Sequence, residues 1–309
     1  MTSTPHFMHH SLVQPIVRRG LQPSPRRHSC FISTKEVFMR IALVQVASPD
    51  SESPAHRLER VRSLLDEHIT DDVDLIVLPE LWRVGYNHFD VYTSAAESLD
   101  GPTVQTMRTL AVAKACYVHV GTLVEQLDTD RLRNTAVLIA PNGRVIHHYS
   151  KIHVFGYNSS EAQLLEPGTQ IHTSPTSFGE VAATTCYDLR FTGLWTELVD
   201  AGAELVIVPA AWPTSRLEHW RLLTSARAVD NQVFVIACNA SGTHGGIELA
   251  GHSRIVDPWG GVVIEAAASE GITIADIDPS AVGLTRKEFP VLSDRRRDYS
   301  HLHSRKVDS

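Results

Sequence analysis

The sequence predicts an α/β fold: one compact unit of mixed sheets covered by helices. Strand–helix–strand units occur in both halves of the chain and are interspersed with hairpins. Most strands are continuous apolar runs rather than alternating ones, as expected for strands buried on both faces.

Each element follows from local pattern. Residues 41–47 (IALVQVA) read as a buried strand. In 53–69, Leu58, Val61, Leu64, Leu65 and Ile69 fall on one helix face, and Ser53-Pro54 supplies an N-cap and first-turn pair. DLIVLPE (74–80) is a strand ending at Pro79-Glu80. A helix over 102–116 is opened by Gly101-Pro102. YVHVGTLVEQ, NTAVLIAP and RVIHHYSK read as three strands, the last two joined at Asn142-Gly143, a hairpin-turn pair. After a loop at 152–177, residues 180–186 form a strand, 194–202 a helix stopped by Gly202, 204–212 a strand and 216–232 a long helix. VFVIACNA is another strand, 252–266 a hairpin around Pro258-Trp259-Gly260, GITIADI the last strand and 278–288 a short helix.

Composition excludes several classes. The 309 residues are 43% hydrophobic and 20% charged, ordinary for a globular protein. The net charge is −7, yet residues 1–35 carry +5 and no acid, leaving −12 on the remaining 274. Nucleic acid is therefore not an expected partner. Cys30, Cys116, Cys186 and Cys238 are too scattered for a disulfide scaffold, and no Cys/His spacing suggests zinc. A cytoplasmic, reducing setting is expected, with no membrane span. Residues 1–38 are rich in Ser, Pro, His and Arg. They read as a disordered or non-native extension in preference to a transit peptide, because MRIALVQ from Met39 is a natural start before a strand. His9-His10 reads as tail composition. The body runs over 39–295, and 296–309 reads as a charged, loose tail.

Three residues stand at strand ends, and each has a plain alternative reading. Glu80 alone is a solvated loop acid, Lys151 a surface lysine and Cys186 a packed small hydrophobe. Together they make chemistry. A thiol needs deprotonation to attack a carbonyl or nitrile carbon. A carboxylate can take that proton and return it to a leaving amine. An ammonium, with the backbone N–H of Tyr187 after a sharp turn, can stabilise the developing negative charge. Strand ends at 79–80, 149–151 and 185–186 are expected on one sheet edge.

The residues DLIVLPELWRVGY (Glu80), YSKIHVFG (Lys151) and TTCYDLRF (Cys186) resemble the three signature motifs of the carbon–nitrogen hydrolases, the nitrilase superfamily. The resemblance covers about residues 39–295 and extends to NTAVLI (134–139), PAAWP (209–213), ARAVDNQVFVIACN (226–239) and GHSRIVDPWG (251–260). It implies a four-layer αββα sandwich with Glu80 as general base, Lys151 as transition-state stabiliser and Cys186 as nucleophile. It also implies a second glutamate six residues before the Pro of a Pro-Gly pair, which selects Glu161. Cys-Tyr-Asp-Leu-Arg-Phe is similar to the ω-amidase and deaminated-glutathione amidase branch, whereas nitrilases proper usually have Cys-Trp-Glu. Thr192 stands where that branch usually has proline. Trp212, Tyr86 and Asn87 are implied pocket residues. An Asp188–Arg190 pair is read as bracing the turn.

The expected activity is hydrolysis of a small linear amide through a cysteine thioacyl intermediate, with water as co-substrate and neither metal nor cofactor. N-carbamoyl hydrolysis and nitrile hydrolysis are the related alternatives. A non-catalytic binding protein, and a Cys-His enzyme using His244 or His252, are the alternatives of other classes. Cys116 and Cys238 read as packing. A homodimer or higher homo-oligomer is implied, with the helices at 194–202 and 216–232 as candidate interface.

Overall fold

The computed structural model describes residues 38–128 and 131–296. The N-terminal extension up to residue 37, with His9-His10, and the tail from residue 297 lie outside the described residues.

In chain order the first half comprises β1 (Met39–Gln45), α1 (Pro54–His68), β2 (Leu75–Val77), α2 (Tyr92–Ala95), α3 (Pro102–Lys114), β3 (Tyr117–Gln126), β4 (Leu132–Ile139) and β5 (Val145–Ser150). Next come α4 (Glu161–Leu164), β6 (Ser174–Thr176), β7 (Gly179–Ala183), α5 (Thr192–Asp200), β8 (Leu205–Ala210), α6 (Leu217–Asn231) and β9 (Phe234–Asn239). The chain closes with β10 (Ser241–His244), β11 (Ile247–Ala250), β12 (Arg254–Val256), β13 (Val262–Glu265), β14 (Gly271–Ile277), α7 (Ala281–Glu288) and α8 (Val291–Asp294). Local chemistry sets the helix starts as read: the Ser53 side chain accepts from the His56 N–H, and proline opens both α1 and α3.

Two six-stranded sheets form, ordered β14-β1-β2-β3-β4-β5 and β13-β12-β9-β8-β7-β6. Each has a parallel centre, β1-β2-β3 in one and β7-β8-β9 in the other, with antiparallel strands at both edges. Side-chain alternation then divides the core. Ile41, Leu43, Leu75 and Val77 pack with Leu205, Ile207, Phe234 and Ile236 between the sheets. Ala42, Val44 and Ile76 face Val61, Leu65, Val104 and Met107 of α1 and α3. Val206, Val208 and Val235 face Trp195, Leu198, Trp220 and Ala228 of α5 and α6. The result is the four-layer αββα sandwich. Burying each such Leu, Ile or Val contributes roughly 1.5–3 kcal/mol, so the continuous apolar strands are what place the layers.

Sequence reading missed six elements: α2, α4, β6, β10, β11 and α8. The loop at 152–177 contains α4 and β6, each too short to show a period. SGTHGGIELA is the hairpin β10–β11, with Gly245 and Gly246 at φ 49° and 78° in its two-residue turn. Its Gly-rich polar strands lack the apolar alternation that marks a hairpin. Arg295, the last residue of the body as read from sequence, is held by an ion pair to Asp200.

Candidate active site

The three motif residues lie just past the ends of β2, β5 and β7, and the fold brings them together. Two glycines permit the close approaches. A Cβ on Gly121, at φ 73°, would lie 2.0 Å from the Pro79 carbonyl oxygen beside Glu80. A Cβ on Gly168 would lie 2.0 Å from the Ser150 carbonyl oxygen, and the Gly168 N–H donates to the Lys151 carbonyl at 2.8 Å. Cys186 has φ 46°, the left-handed region that side chains other than glycine rarely adopt. The chain turns sharply there out of β7, so the thiol is directed away from the strand, a strained arrangement common at functional sites.

Glu80, Lys151 and Glu161 are completely buried. Lys151 Nζ donates to Glu80 Oε1 at 2.9 Å and to Glu161 Oε1 at 2.8 Å. Asn134 Nδ2 donates to Glu80 Oε1 at 2.8 Å and to Glu161 Oε1 at 3.3 Å. The Ala211 N–H donates to Glu80 Oε2 at 3.0 Å, and the Tyr86 hydroxyl donates to Glu161 Oε2 at 3.1 Å. The Glu80 carboxylate and the Cys186 thiol are near enough for each to shift the other's proton affinity. Burial pushes the Glu80 carboxyl up, against the pull of the Lys151 ammonium, and Glu161 pushes it further. Burial alone would lower Lys151, but the charges of Glu161 and Glu80 outweigh it and hold the amine firmly protonated. Burial and the Glu80 charge push the Cys186 thiol well up, opposed by Lys151. The resting cluster is therefore a neutral thiol beside a carboxylate that is more basic than usual.

The turn carrying Cys186 is fastened to the lysine motif through Asp188. That carboxylate accepts from the Tyr149 hydroxyl at 2.7 Å, from the His153 N–H at 2.9 Å and ring Nδ1 at 2.7 Å, and from the Thr185 N–H at 3.1 Å. The expected Asp188–Arg190 brace is thus half right. Asp188 braces the turn, but its lone pairs are taken by Tyr149, His153 and Thr185. Arg190 instead points into a pocket, its guanidinium 4.7 Å from the Trp212 ring centroid. Thr192 is the first residue of α5, exposed and away from the pocket. Proline suits that position because the N–H there has no helical partner, so threonine replaces it without touching the site.

The pocket, of about 610 Å³, ends on Cys186 and is lined by Tyr86, Asn87, Tyr187 and Trp212 among others. Trp212 forms a wall, its indole N–H held by the Arg216 carbonyl at 2.7 Å. Tyr86 lies behind the site, its hydroxyl committed to Glu161. Asn87 is at the edge, its amide donating to the Gly245 carbonyl of the β10–β11 turn at 2.8 Å. Three residues escaped sequence reading. Asn134 was detectable as a polar residue opening the apolar run of β4. Arg190 was assigned elsewhere, and Arg216 sits in a segment without signal.

The other candidates fall away from the chemistry. His244 Nε2 accepts from the Ser48 N–H at 2.8 Å, and burial lowers its pKa to about 4. His252 pairs with Glu265, and neither histidine lines the pocket. Cys116 and Cys238 are core residues, their thiols pushed up by burial to about 11 and about 12. Among the described residues no cluster of three metal-ligating side chains occurs.

Residues 40–287 match the carbon–nitrogen hydrolase family model. The chain is a carbon–nitrogen hydrolase. It is 34% identical over 265 residues to a 2-oxoglutaramate amidase of Paenarthrobacter nicotinovorans, covering 84% of this chain and 90% of the relative. It is 32% identical over 277 residues to the omega-amidase NIT2 of Mus musculus, covering 86% of this chain and 98% of that one. Among solved structures, Saccharomyces cerevisiae Nit3, a member of branch 10 of the nitrilase superfamily, matches with a TM-score of 0.76 at 32% identity, covering 84% of this chain and 97% of Nit3. The carbon–nitrogen hydrolase fold and the amidase class of the enzyme stand on these matches together with the sandwich.

Proposed function

We propose that this carbon–nitrogen hydrolase cleaves the terminal amide of a short acid, a monoamide with a carboxylate at its far end, and releases ammonia. The observation that carries this reading is the pocket's charge. Its lining holds Arg190 and Arg216 and no acid, and among the described residues neither guanidinium has a carboxylate partner. Arg190, stacked on Trp212, presents its donor edge to the cavity that ends on Cys186. A guanidinium seated on an aromatic face keeps its in-plane donors free for a carboxylate. The relatives named for 2-oxoglutaramate and ω-amide hydrolysis support the same class.

The chemistry follows from the buried cluster. Glu80 takes the Cys186 proton as Sγ attacks the amide carbon. The oxygen that becomes negative is stabilised by the Lys151 ammonium and the Tyr187 N–H. Glu80 returns the proton to the amide nitrogen, the C–N bond breaks and ammonia leaves a thioester on Cys186. Glu80 then deprotonates a water that attacks the thioester. The carboxylic acid departs and the thiol is restored. Glu161, fixed by Tyr86, holds Lys151 in place. Amide and water are the only reactants these steps consume.

Arg190→Met tests the substrate assignment. The variant is expected to lose about a hundredfold in kcat/KM for carboxylate-bearing amides, chiefly through KM, while butyramide turnover stays within about twofold. Equal losses on both would remove Arg190 from substrate recognition. Ammonia release from N-carbamoyl amino acids or nitriles, with none from amides, would overturn the reading itself.

The same proposal includes a homodimer. Leu222 and Val229 lie seven residues apart on the outer face of α6 and are 66% and 46% exposed. Trp259 stacks with Phe289 at 6.1 Å, and both rings are exposed. A second copy is the occupant we propose for this apolar patch. Light scattering should give twice the chain mass, and Leu222→Glu with Val229→Glu should halve it. We place the enzyme in a reducing compartment, in keeping with Cys116, Cys186 and Cys238 all being free thiols. No helix among the described residues is long and apolar enough to cross a membrane.

A further inference from the structure

We infer that Asn134 is a positioning residue for the proton transfer: its side-chain amide fills the inner oxygen of both buried glutamates, so that the proton taken from Cys186 goes to Oε2 of Glu80. This rests on the reading of Glu80 as the base that deprotonates Cys186.

The acceptor positions of the two carboxylates are nearly all filled. The buried cluster sets Glu80 and Glu161 against a single ammonium. A carboxylate oxygen has room for two donors. Oε1 of Glu80 accepts from Lys151 Nζ at 2.9 Å and from Asn134 Nδ2 at 2.8 Å. Oε1 of Glu161 accepts from the same two nitrogens, at 2.8 and 3.3 Å. Oε2 of Glu161 takes the Tyr86 hydroxyl at 3.1 Å. Oε2 of Glu80 takes the Ala211 N–H at 3.0 Å. That same N–H pulls the Cys186 thiol down, so this oxygen and the sulfur share one donor. The open acceptor position of Glu80 therefore lies on the side of the nucleophile.

The fold places Asn134 for this task. It is buried on β4, and its backbone carbonyl accepts the Lys151 N–H at 2.8 Å, which keeps its side chain in step with the lysine. Its Oδ1 is buried and meets no donor among the described residues. Turning the amide over would set Oδ1 against two carboxylate oxygens, so its orientation is fixed. A residue kept for packing alone would bury no unpaired acceptor. The titratable groups facing Glu80 are Lys151, Glu161, Cys186 and Tyr86, with Tyr92 behind them. None supplies a second neutral donor to Oε1 of Glu80. Without the amide, that oxygen has an open position beside Glu161. Donors to an ionised carboxylate hold its proton affinity down, so their loss raises it. Glu80 then stays protonated to higher pH, and a protonated Glu80 is no base.

The test is the pH dependence of Cys186 alkylation by iodoacetamide in the full-length wild type, Asn134→Leu, Asn134→Asp and a control, Val137→Ala. Val137 lies on the same strand but in the core beneath the helices. The acid limb should move up by about one pH unit or more in Asn134→Leu, and at least as far in Asn134→Asp, which adds a third acid. Ammonia release from the monoamide of pentanedioic acid should lose about tenfold or more in kcat near pH 7, with KM within about threefold. Val137→Ala, loosened by a core cavity, should keep the wild-type limb. Should one Asn134 variant fail to fold, the other decides. The inference is overturned if the limb stays at its wild-type position in the Asn134 variants, if Val137→Ala moves it as far, or if the loss falls on KM alone. A limb that stays put leaves Glu80 standing as the base. A wild type without any acid limb would instead sink Glu80 as the base, and Asn134 with it.

Discussion

Replacing Lys151 by methionine is expected to lower kcat/KM by about a thousandfold or more and to destabilise the fold by roughly 3–5 kcal/mol near neutral pH. The two losses have one origin. Lys151 is completely buried between two completely buried carboxylates, at 2.9 and 2.8 Å. Methionine fills much of the volume but leaves Glu80 and Glu161 facing each other without the cation. Two carboxylates at one buried site cannot both stay ionised, so one takes up a proton. The sign of the pH dependence follows. In the variant the folded-state carboxyls bind protons more tightly than in the unfolded chain. Stability is then gained as pH falls through their raised values and lost as pH rises. In the wild type the raised Lys151 value contributes stability below about 10.5, the ordinary lysine value, and loses it only above. Between pH 8 and 5.5 that contribution is constant. Urea denaturation of both proteins across this range should therefore show the gap narrowing with acid. A constant gap would mean that Lys151 is not the charge compensating the pair.

Much of the site was legible because its residues contradict their surroundings. Glu80 follows a run buried throughout residues 75–79, and Lys151 ends a strand whose inward residues, His147 and Tyr149, are buried; such positions are costly for charges unless they are paired. The αββα layering was legible for a related reason: continuous apolar strands require cover on both faces, and the helical periods of α1, α3 and α6 supply it. What escaped notice lacks a period or depends on distance. The β10–β11 hairpin is polar and Gly-rich, so nothing in its pattern marks it as strand. Asn134 looks like any strand-start polar residue until its amide is seen bridging Glu80 and Glu161. Arg190 was assigned to Asp188 because the two are close in sequence. In the fold, however, Asp188 is satisfied by Tyr149, His153 and Thr185, all outside the turn or at its cap, and this releases the arginine into the pocket. Sequence proximity gave the right acid and the wrong partner.

Glu80→Gln should remove about three orders of magnitude from kcat/KM while leaving the fold intact, because glutamine retains the shape but accepts no proton. Alkylation separates this from a purely structural effect. In the wild type, iodoacetamide should modify Cys186 before Cys116 and Cys238, although its thiol is pushed up as well. Cys116 and Cys238, pushed up to about 11 and about 12, hold about one part in a thousand and one in ten thousand as thiolate at pH 8, and both are packed in the core. Cys186 lines the pocket, and Glu80 can accept its proton as the carbon–sulfur bond forms. The rate at Cys186 should fall as pH drops through the raised Glu80 value, since protonated Glu80 is no longer a base. In Glu80→Gln that acid limb should vanish and the rate near pH 8 should drop by at least about tenfold, with Cys116 and Cys238 unaffected. If Cys186 in Glu80→Gln kept its wild-type rate and pH profile, the proton would be going elsewhere. The carboxylate would then be an anchor for Lys151, not the base that makes this cysteine a nucleophile.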